Sequence, residues 1–278
     1  MQRKLSVLGS PIEHSKSPLI HAAAYRVLGL DWDYERNLVG KGGLRPFVDG
    51  LGEEWLGLSL TMPLKEEAAK IARTLDKAAE ATGAVNTLVR IDGGWAGFNT
   101  DVFGLVQAVH QAGLADLKTV LVVGSGATAT SAVAAVKQLA PNAQVQVFAR
   151  NKETRDELIE FAKSLGLAAK KVGNFARSAA KADLVISTLP AGAMNDTASL
   201  LSSKKSFKPV GAILDVAYQP WPSNIASVWF DRGRPIISGL EMLLWQAVAQ
   251  IRIFQHGDPT IALPNEVAVV EAMRHSLD

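Results

Sequence analysis

The sequence predicts an α/β fold made of two domains. Short apolar runs rich in β-branched residues alternate with longer helical patterns, which is typical of parallel strands joined by helices. The chain has 278 residues, 48% of them hydrophobic. Because domains usually contain about 100 to 200 residues, two cores are expected. A glycine-rich turn at Gly124–Ala129 follows a predicted strand and opens a second series of alternating elements.

The first series of elements occupies the N-terminal part of the chain. Its predicted strands are Lys4–Leu8, Asp33–Val39 and Trp55–Leu60, and its predicted helices are Ser17–Leu28 and Leu64–Leu75. Two more strands, Ala84–Arg90 and Trp95–Phe98, flank the Asp92-Gly93-Gly94 turn, which favours a hairpin. A helix over Asp101–Gly113 should then lead into the second domain.

The second series begins with a βαβ pattern. The predicted elements are the strand Lys118–Val123, the helix Ala127–Leu139, and the strands Gln144–Phe148, Leu184–Ser187, Ala212–Val216 and Pro235–Ile237. The last helices, Met242–Phe254 and Val267–Met273, are expected to return to the first domain. We therefore predict a first domain of residues 1–101 completed by 239–278, and a second domain of residues 102–238.

Composition excludes several classes of protein. The net charge is +2, from 29 basic and 27 acidic side chains, so the chain lacks the overall field that gathers nucleic acid or anionic membranes. It has no cysteine, which removes disulfides and thiolate metal ligands and is compatible with a reducing compartment. We expect no nucleic-acid partner and no metal site.

Neither the N-terminus nor the most apolar segment predicts a membrane or export function. Gly9 and Pro11 interrupt the start of the chain before an apolar signal core can form. The segment Leu240–Ile253 contains Glu241 and Arg252 and is shorter than the roughly 20 apolar residues of a membrane span. A buried helix and a cytoplasmic location are therefore expected.

The glycine-rich turn has the pattern of a phosphate-binding loop. Gly124-Ser125-Gly126-Ala127-Thr128-Ala129 fits G-x-G-x-x-[G/A] between a strand and a helix. Small residues let the backbone approach a pyrophosphate, whose charge is favoured at the helix N-terminus. The alternative is a tight turn that only packs the helix against the strand. The context favours a Rossmann-type doubly wound domain.

The end of the second strand indicates which dinucleotide binds. An NAD site usually has a carboxylate there, about 20 residues beyond the glycines, whereas this chain has Ala149-Arg150-Asn151-Lys152. Arg150 can bind a 2′-phosphate through charge-assisted bonds and stack on adenine. NADP is therefore predicted as the cofactor. Arg155 either adds a second contact or is solvated surface.

A polar loop precedes the first helix. Ser15 and Ser17 either bind a ligand carboxylate or hydroxyl at the helix N-terminus, or Ser17 is a simple N-cap with Pro18 at the first helical position. His14 beside them suggests a base, but no acidic partner is identifiable in the sequence. A role in loop structure is the preferred interpretation for His14.

Other polar residues follow the predicted strands of the first domain. Thr61 and Lys65 flank a proline after one strand, and Asn86 and Asp101 lie at later element ends, where open α/β sheets bind ligands. Lys65 at a helix start is electrostatically unfavourable by a few tenths to about 1 kcal/mol, so a partner anion is expected. The alternative for Lys65 and Asp101 is an ordinary surface ion pair, or no contact at all.

These segments, in this order, resemble the motifs of the shikimate dehydrogenase family. They are Ser15-Lys16-Ser17-Pro18, Thr61-Met62-Pro63-Leu64-Lys65, Gly83-Ala84-Val85-Asn86-Thr87, Asn99-Thr100-Asp101, the cofactor loop, Tyr218-Gln219-Pro220 and Gly239-Leu240-Glu241-Met242-Leu243-Leu244-Trp245-Gln246-Ala247. The resemblance covers nearly the whole chain.

The resemblance implies a role for each matching residue. Lys65 and Asp101 would be the catalytic pair, with Lys65 stabilising and protonating the oxyanion that forms when a carbonyl accepts hydride. The residues implied to hold the substrate carboxylate and ring hydroxyls are Ser15, Ser17, Ser59, Thr61, Asn86 and Gln246. Tyr218 would lie near substrate and nicotinamide, and Asn151 and Gly239 would complete the cofactor site.

The implied activity is reversible NADPH-dependent reduction of 3-dehydroshikimate to shikimate by a monomer or homodimer. The sequence departs from the family at Ser59, where asparagine is common, and at Ala127, Thr130 and Ala149-Arg150-Asn151. These departures leave open a quinate/shikimate dehydrogenase that uses NAD or accepts quinate. A catalytically silent dinucleotide sensor is a further alternative. Another two-domain dehydrogenase, such as a folate-linked one, would explain the glycine loop but not Ser15 and Ser17.

Overall fold

The computed structural model describes residues 2–277 and divides the chain into two compact units. The first unit comprises the residues up to Gly104 together with those from Leu243 onward, and the second runs from Leu105 to Met242. The predicted boundaries were at residues 101 and 238. Both divisions between the units fall within helices, so a short shift of the boundary along either helix changes little in either core.

The first unit contains six strands and the helices that cover them. In chain order its elements are β1 Arg3–Gly9, α1 Ser17–Leu28, β2 Trp32–Leu38, α2 Leu44–Asp49, β3 Trp55–Leu60, α3 Lys65–Ile71, β4 Thr74–Leu75, α4 Lys77–Thr82, β5 Thr87–Ile91, β6 Gly94–Phe98 and the start of α5 Asp101–Gln111, joined by most of α11 Gly239–His256 and by α12 Glu266–His275.

The sheet of this unit is mixed, with the order β2-β1-β3-β5-β6-β4. Strand β1 pairs in parallel with β2 and β3, whereas β5 is antiparallel to both β3 and β6. The hairpin predicted around Asp92-Gly93-Gly94 is the β5–β6 pair, whereas the antiparallel pairing of β5 with β3 was not predicted. The hairpin turn at Asp92-Gly93 is too short for the crossover that parallel neighbours need, so β6 must return beside β5 in the opposite direction.

The predicted helix Leu64–Leu75 is also shorter in the structure. Helix α3 ends at Ile71, and β4 follows it and pairs in parallel with β6. The backbone N–H groups of Arg73 and Asp76 donate to the carbonyls of Trp95 and Gly97. Strand pairing with β6 therefore overrides the helical pattern of the local sequence.

Two apolar clusters cover the two faces of this sheet. Leu5 and Val7 of β1 belong to a cluster with residues of α1, α11 and α12, whereas Leu8 belongs to a cluster with residues of α2 and β3. Alternate residues of β1 therefore face opposite layers, and burial of both faces explains its continuous apolar run. Helices α11 and α12 complete the first unit, in agreement with the predicted return of the C-terminal helices.

The second unit has a sheet of six strands, all parallel, in the order β12-β11-β10-β7-β8-β9. Its elements are β7 Thr119–Val123, α6 Ala127–Leu139, β8 Gln144–Phe148, α7 Lys152–Ser164, β9 Ala168–Lys171, α8 Phe175–Ala179, β10 Leu184–Ser187, α9 Asn195–Ser203, β11 Ala212–Asp215, α10 Asn224–Phe230 and β12 Ile236–Ser238. The first strand of the unit lies at the centre and later strands add outward on both sides, which is the Rossmann order. Strand β9 has an exposed, lysine-containing sequence and was not predicted.

Among residues 2–277, no helix is both long and apolar enough to cross a membrane.

The second unit has its own core, in which Leu121, Val185 and Ile213 of neighbouring strands pack with Trp229 of α10. Each unit therefore buries an apolar core of its own, as expected for a domain.

Candidate active site

Lys65 and Asp101 lie at the first positions of two helices of the first unit. Lys65 begins α3, Asp101 begins α5, and Nζ of Lys65 contacts Oδ2 of Asp101. Their side chains are only 12% and 6% exposed, so the pair is largely shielded from water and from salt screening. The Asp101 carboxylate supplies the anion that a lysine at a helix N-terminus needs. The structure thus places an ammonium group at a fixed position beside a buried carboxylate.

Asn86 orients the Asp101 carboxylate. Its Nδ2 donates to Oδ1 of Asp101 at 2.8 Å and to the Thr100 hydroxyl at 2.9 Å. Its Oδ1 accepts from the Thr100 backbone N–H at 2.9 Å and from the Thr87 hydroxyl at 2.8 Å. Both ends of this buried amide are therefore engaged within the protein. The predicted substrate contact of Asn86 stays a prediction, and orientation of Asp101 is what the observed bonds provide.

Asp76 fixes the same segment from another side. Its Oδ1 accepts from the backbone N–H of Ala79, which caps α4, and from that of Asn99 at 3.1 Å. Asn99 Oδ1 in turn accepts from the Asp101 backbone N–H at 3.1 Å. Partial burial raises the pKa of Asp76, and the backbone N–H bonds oppose that rise. The start of α5 is thus tied to α4 through a carboxylate that sequence analysis did not identify.

Ser59 is buried on β3 and belongs to an internal hydrogen-bond network. Its hydroxyl accepts from the Tyr34 hydroxyl at 2.7 Å and donates to Oε1 of Gln250 at 2.9 Å. The predicted ring-hydroxyl contact of Ser59 is not tested by this arrangement. The hydrogen of the Ser59 hydroxyl is donated to Gln250. Towards a ligand, Ser59 can therefore only accept a hydrogen bond.

Ser15 and Ser17 lie at the start of α1. The structure places Lys16 at the N-cap position and Ser17 as the first helical residue, with Pro18 in the first turn, so the N-cap interpretation of Ser17 is wrong by one residue. The Ser15 hydroxyl accepts from the Ser17 backbone N–H at 3.3 Å. The neighbouring hydroxyls of Ser59 and Ser17 oppose the rise in the pKa of Tyr34 that burial causes.

Thr61 and Gln246 lie outside the hydrogen-bond network that surrounds Lys65 and Asp101. Thr61 directly follows β3, and Gln246 is buried in α11 with its Nε2 donating to the Leu243 carbonyl of the same helix at 2.8 Å. Within residues 2–277, no side-chain hydrogen bond joins either residue to Lys65 or Asp101. His14 is exposed in its loop.

Tyr218 belongs to the second unit and follows β11. The loop that contains it begins at Asp215, whose carboxylate accepts from the Ser223 hydroxyl at 2.6 Å and from the Ala217 backbone N–H at 3.3 Å. Burial raises the pKa of Asp215, and the Ser223 bond opposes that rise. Asp215 was not identified from the sequence, although an aspartate that ends an apolar strand is a recognisable signal.

The glycine-rich turn has the geometry that a pyrophosphate requires. Gly124 has a φ of +111°, and a Cβ there would lie 2.4 Å from the Thr188 hydroxyl, so only glycine fits. Gly126 is the N-cap of α6, with no side-chain cap and no acidic residue in the first turn, and a Cβ there would meet nothing within 4 Å. Ala127, Thr128 and Ala129 form the first turn of α6. The helix N-terminus is therefore open and able to accept an anion.

Arg150 follows β8, which pairs with β7 up to the register Val123↔Phe148. It is exposed near the carboxyl end of the central strand. Asn151 caps α7, because its Oδ1 accepts from the backbone N–H groups of Glu153 and Thr154 at 3.0 and 3.3 Å. The Ser125 and Thr154 hydroxyls lie 2.7 Å apart. The turn after β7 is thus held beside the start of α7. Arg150 directly precedes Asn151, the N-cap of that helix.

Two other predicted cofactor residues have additional structural explanations. A Cβ at Gly239 would lie 2.1 Å from the Val216 carbonyl oxygen, so glycine there allows close packing of backbone on backbone. Arg155 pairs with Asp156 at 2.8 Å, which reduces its availability for a ligand phosphate. Gly239 and Arg155 therefore indicate a cofactor site less specifically than Gly124, Gly126 and Arg150 do.

The Rossmann strand order and the open glycine turn place the chain among the two-domain dinucleotide-dependent dehydrogenases. In the other unit, the largely buried pair of Lys65 and Asp101 places a proton donor where a carbonyl group could be reduced. Comparisons with known proteins specify the family. Residues 7–88 match the family described as the shikimate dehydrogenase substrate binding domain, and residues 100–223 match the alanine dehydrogenase/PNT C-terminal domain.

Relatives match over almost the full chain. Shikimate dehydrogenase (NADP(+)) from Nitrosopumilus maritimus is 31% identical over 92% of this chain and 94% of its own length. The crystal structure of Mycobacterium tuberculosis shikimate dehydrogenase is 38% identical, with a TM-score of 0.85 over 99% of this chain and 100% of that one. The Thermus thermophilus enzyme in complex with NADP(H) and shikimate is 29% identical, with a TM-score of 0.81 over 99% of both chains. This chain belongs to the shikimate dehydrogenase family.

Proposed function

We propose that this chain catalyses the reversible NADPH-dependent reduction of 3-dehydroshikimate to shikimate. The shielded contact between Lys65 and Asp101 carries the proposal, because it provides a proton donor at a fixed place in the unit that matches a substrate binding domain. The relatives named for this NADP-dependent activity match over nearly their full lengths.

Lys65 is the acid–base residue in this proposal. In the direction of reduction, negative charge develops on the ketone oxygen, and the Lys65 ammonium stabilises that charge and transfers a proton to the oxygen. In the direction of oxidation, neutral Lys65 takes the proton from the substrate hydroxyl. Asp101 holds the Lys65 side chain in position. Asn86 keeps the Asp101 carboxylate oriented.

The residues of the second unit fit NADP. The open N-terminus of α6, with Gly124-Ser125-Gly126-Ala127-Thr128-Ala129, would hold the pyrophosphate, and Arg150 would bind the 2′-phosphate. Asn151 and Gly239 would border the same site. When bound as NADPH, this cofactor supplies the hydride that the ring carbon accepts. The absence of an acidic residue in the first turn of α6 favours the phosphates.

The substrate would be held by polar groups at the ends of strands and helices. Ser15, Ser17, Thr61 and Gln246 would bind its carboxylate and ring hydroxyls, as the family resemblance implies. Ser59 would offer an acceptor. The resemblance also implies substrate contacts for Tyr218 and for Asn86, whose amide is already bonded at both ends by protein groups. We further propose a cytoplasmic protein that is active as a monomer or homodimer, with no macromolecular ligand.

The test is to follow NADPH absorbance with shikimate and NADP, and then with quinate or NAD substituted in turn. Turnover with shikimate and NADP would support the proposal. Turnover only with quinate or only with NAD would retain the chemistry and overturn the assigned specificity. Tight NADPH binding without turnover on any pair would favour the dinucleotide sensor instead.

A further inference from the structure

We infer that Gln250 is a positioning residue for the proposed reaction and that its side-chain amide fixes both Ser59 and the Asn86–Thr87 segment. Gln250 lies on α11 and is 1% exposed. Its amide makes four hydrogen bonds, to Ser59, His21, the Asn86 carbonyl and the Thr87 hydroxyl. This inference rests on the proposed function, because the residues that Gln250 holds are those assigned to catalysis and substrate binding.

The position of Gln250 follows from the pairing of two strands. Ser59 of β3 and Thr87 of β5 are directly opposite each other in the antiparallel register, so their side chains emerge on the same face of the sheet. Helix α11 covers that face closely, since a Cβ at Gly57 would lie 2.3 Å from the Phe254 ring. Gln250, one turn before Phe254, reaches both hydroxyls, donating to Thr87 at 3.0 Å and accepting from Ser59 at 2.9 Å.

The hydrogen-bond partners determine which end of the amide points where. The Asn86 backbone carbonyl can only accept, and it lies 3.2 Å from Nε2 of Gln250. The Thr87 hydroxyl donates to Oδ1 of Asn86, so it must accept from Gln250. Nε2 therefore uses both of its hydrogens on the Asn86–Thr87 segment. Oε1 is left to accept from Ser59 and His21.

The same reasoning fixes the tautomer of His21. Because Oε1 of Gln250 is an acceptor, Nε2 of His21 carries the hydrogen that is shared at 3.3 Å. Nδ1 of the neutral ring then accepts from the Tyr25 hydroxyl at 2.9 Å. The ring also stacks on Tyr34, with centroids 3.9 Å apart and an interplanar angle of 13°. His21 is fully buried, so this end of the network is held rigidly.

A continuous series of hydrogen bonds thus leads from His21 through Gln250, Thr87 and Asn86 to the Asp101 carboxylate that contacts Lys65. A second branch leads from Gln250 to Ser59 and Tyr34. A buried amide with every donor and acceptor engaged defines one geometry, because any displacement leaves polar groups unpaired. Loss of Gln250 should therefore release Asn86 and Ser59 together.

The first test compares Gln250→Met with Gln255→Met in the full-length enzyme. Methionine has nearly the same shape and removes all four bonds of Gln250. Gln255 lies on the same helix, and its Oε1 is buried without a partner, so it is a matched control. Since a displacement of about 1 Å can cost 10²-fold in rate, we expect kcat/KM for shikimate to fall about 10- to 100-fold in Gln250→Met. The KM for NADP should stay unchanged in both variants.

A purely structural role would lower the melting temperature of Gln250→Met and leave the kinetic constants per folded molecule unchanged, which would overturn the inference. If Gln250→Met does not fold, Thr87→Val serves instead, because it removes only the hydroxyl between Gln250 and Asn86. It should lower kcat/KM for shikimate in the same direction. If both variants fold, the double variant should be no worse than Gln250→Met alone, since both changes interrupt one connection. Fully additive losses would contradict that connection.

Nitrogen NMR of the His21 ring provides a test that does not depend on turnover. The network requires a hydrogen on Nε2 and none on Nδ1, and this tautomer should be found even if the wild-type protein does not oxidise shikimate. The opposite tautomer would overturn the assigned direction of the network while leaving the proposed function intact. Absence of wild-type turnover together with the expected tautomer would overturn the proposed function, and with it the role of Gln250 in that reaction, while retaining the hydrogen-bond network.

Discussion

The Asn86 side-chain amide donates a hydrogen bond of 2.8 Å to Oδ1 of Asp101. That bond occupies one carboxylate oxygen and leaves the other, Oδ2, to contact Nζ of Lys65. Because Asn86 is itself held by Thr87 and Thr100, the carboxylate cannot rotate without breaking further bonds. The position of the Lys65 ammonium is therefore determined by residues on several different elements.

Replacement of Lys65 by alanine should abolish most of the activity. Without the ammonium group, the developing oxyanion loses its proton donor, and general acid catalysis contributes typically 10²- to 10⁴-fold. We expect kcat to fall within that range, with little change in the KM for NADP and an unchanged circular dichroism spectrum. Lys70→Ala, at an exposed position of the same helix, is the matched control. Equal losses in both variants would contradict the role of Lys65.

Replacement of Arg150 by alanine should reduce the preference for NADP over NAD. Hydrogen bonds to charged groups contribute about 1.5–3 kcal/mol, so kcat/KM with NADP should fall about 10- to 100-fold while that with NAD changes little. Steady-state kinetics with both cofactors measure the ratio. Lys152→Ala removes an exposed cation two residues further along and should leave the ratio nearly intact. An unaltered ratio in Arg150→Ala would remove Arg150 from the cofactor site.

Acid should destabilise the fold through His21. Burial lowers the pKa of His21 to about 3, although its bond to Gln250 opposes that shift. Between about pH 6.5 and 3 the unfolded chain therefore binds a proton that the folded protein excludes. The stabilisation by neutral His21 is complete above about pH 6.5, and it declines by about 1.4 kcal/mol for each pH unit below that value.

Urea unfolding at several pH values between neutral and mildly acidic conditions tests this prediction. His21→Phe retains an aromatic ring but cannot titrate, so its free energy of unfolding should decline less steeply with acid than that of the wild-type protein. His14→Gln, which changes an exposed histidine, should reproduce the wild-type slope. Parallel pH profiles for wild-type and His21→Phe proteins would show that His21 is not the group responsible.

Replacement of Glu266 by glutamine should loosen the C-terminal helix α12. Arg252 binds the Glu266 carboxylate at both oxygens, at 2.8 and 2.5 Å. Partial burial raises the pKa of Glu266, but the bonds from Arg252 and from the Leu263 backbone N–H outweigh that effect, so the net pKa is lowered. With the pair partly solvated, we expect a loss of about 1–2 kcal/mol in the free energy of unfolding near neutral pH.

This loss should disappear in acid. A carboxylate with a lowered pKa stabilises the fold above its unfolded pKa, and that contribution is lost as the pH falls through the folded value. Wild-type and Glu266→Gln proteins should therefore approach equal stability as Glu266 becomes protonated. Glu271→Gln, at an exposed position of α12, is the control. A difference that persists at low pH would show that packing, rather than charge, explains the effect.

Much of the candidate site was predictable because its residues stand at element ends with recognisable neighbours. The predicted cofactor segment follows β7, with Gly124–Gly126 as the turn and Ala127–Ala129 as the first turn of α6, and Gly124 has a conformation that favours glycine. Lys65 and Asp101 were predicted to be partners, and they are in contact. Gln250 was not predicted, although it lies four residues after Gln246 on the same helix, because a lone glutamine in a helix has no distinctive pattern.

The sequence by itself determined the class of fold and the place of the dinucleotide-binding turn, because these depend on apolar periodicity and on residue types close together in the chain. The pairing of Lys65 with Asp101, which are 36 positions apart, was implied only by the ordered motifs that resemble the shikimate dehydrogenase family. Only the tertiary structure decided that β5 lies antiparallel to β3 and that Ser59, Thr87 and Gln250 meet. Those contacts join residues up to 191 positions apart. Their partners are selected by strand register and by how closely α11 packs on the sheet, and neither is encoded in a local pattern.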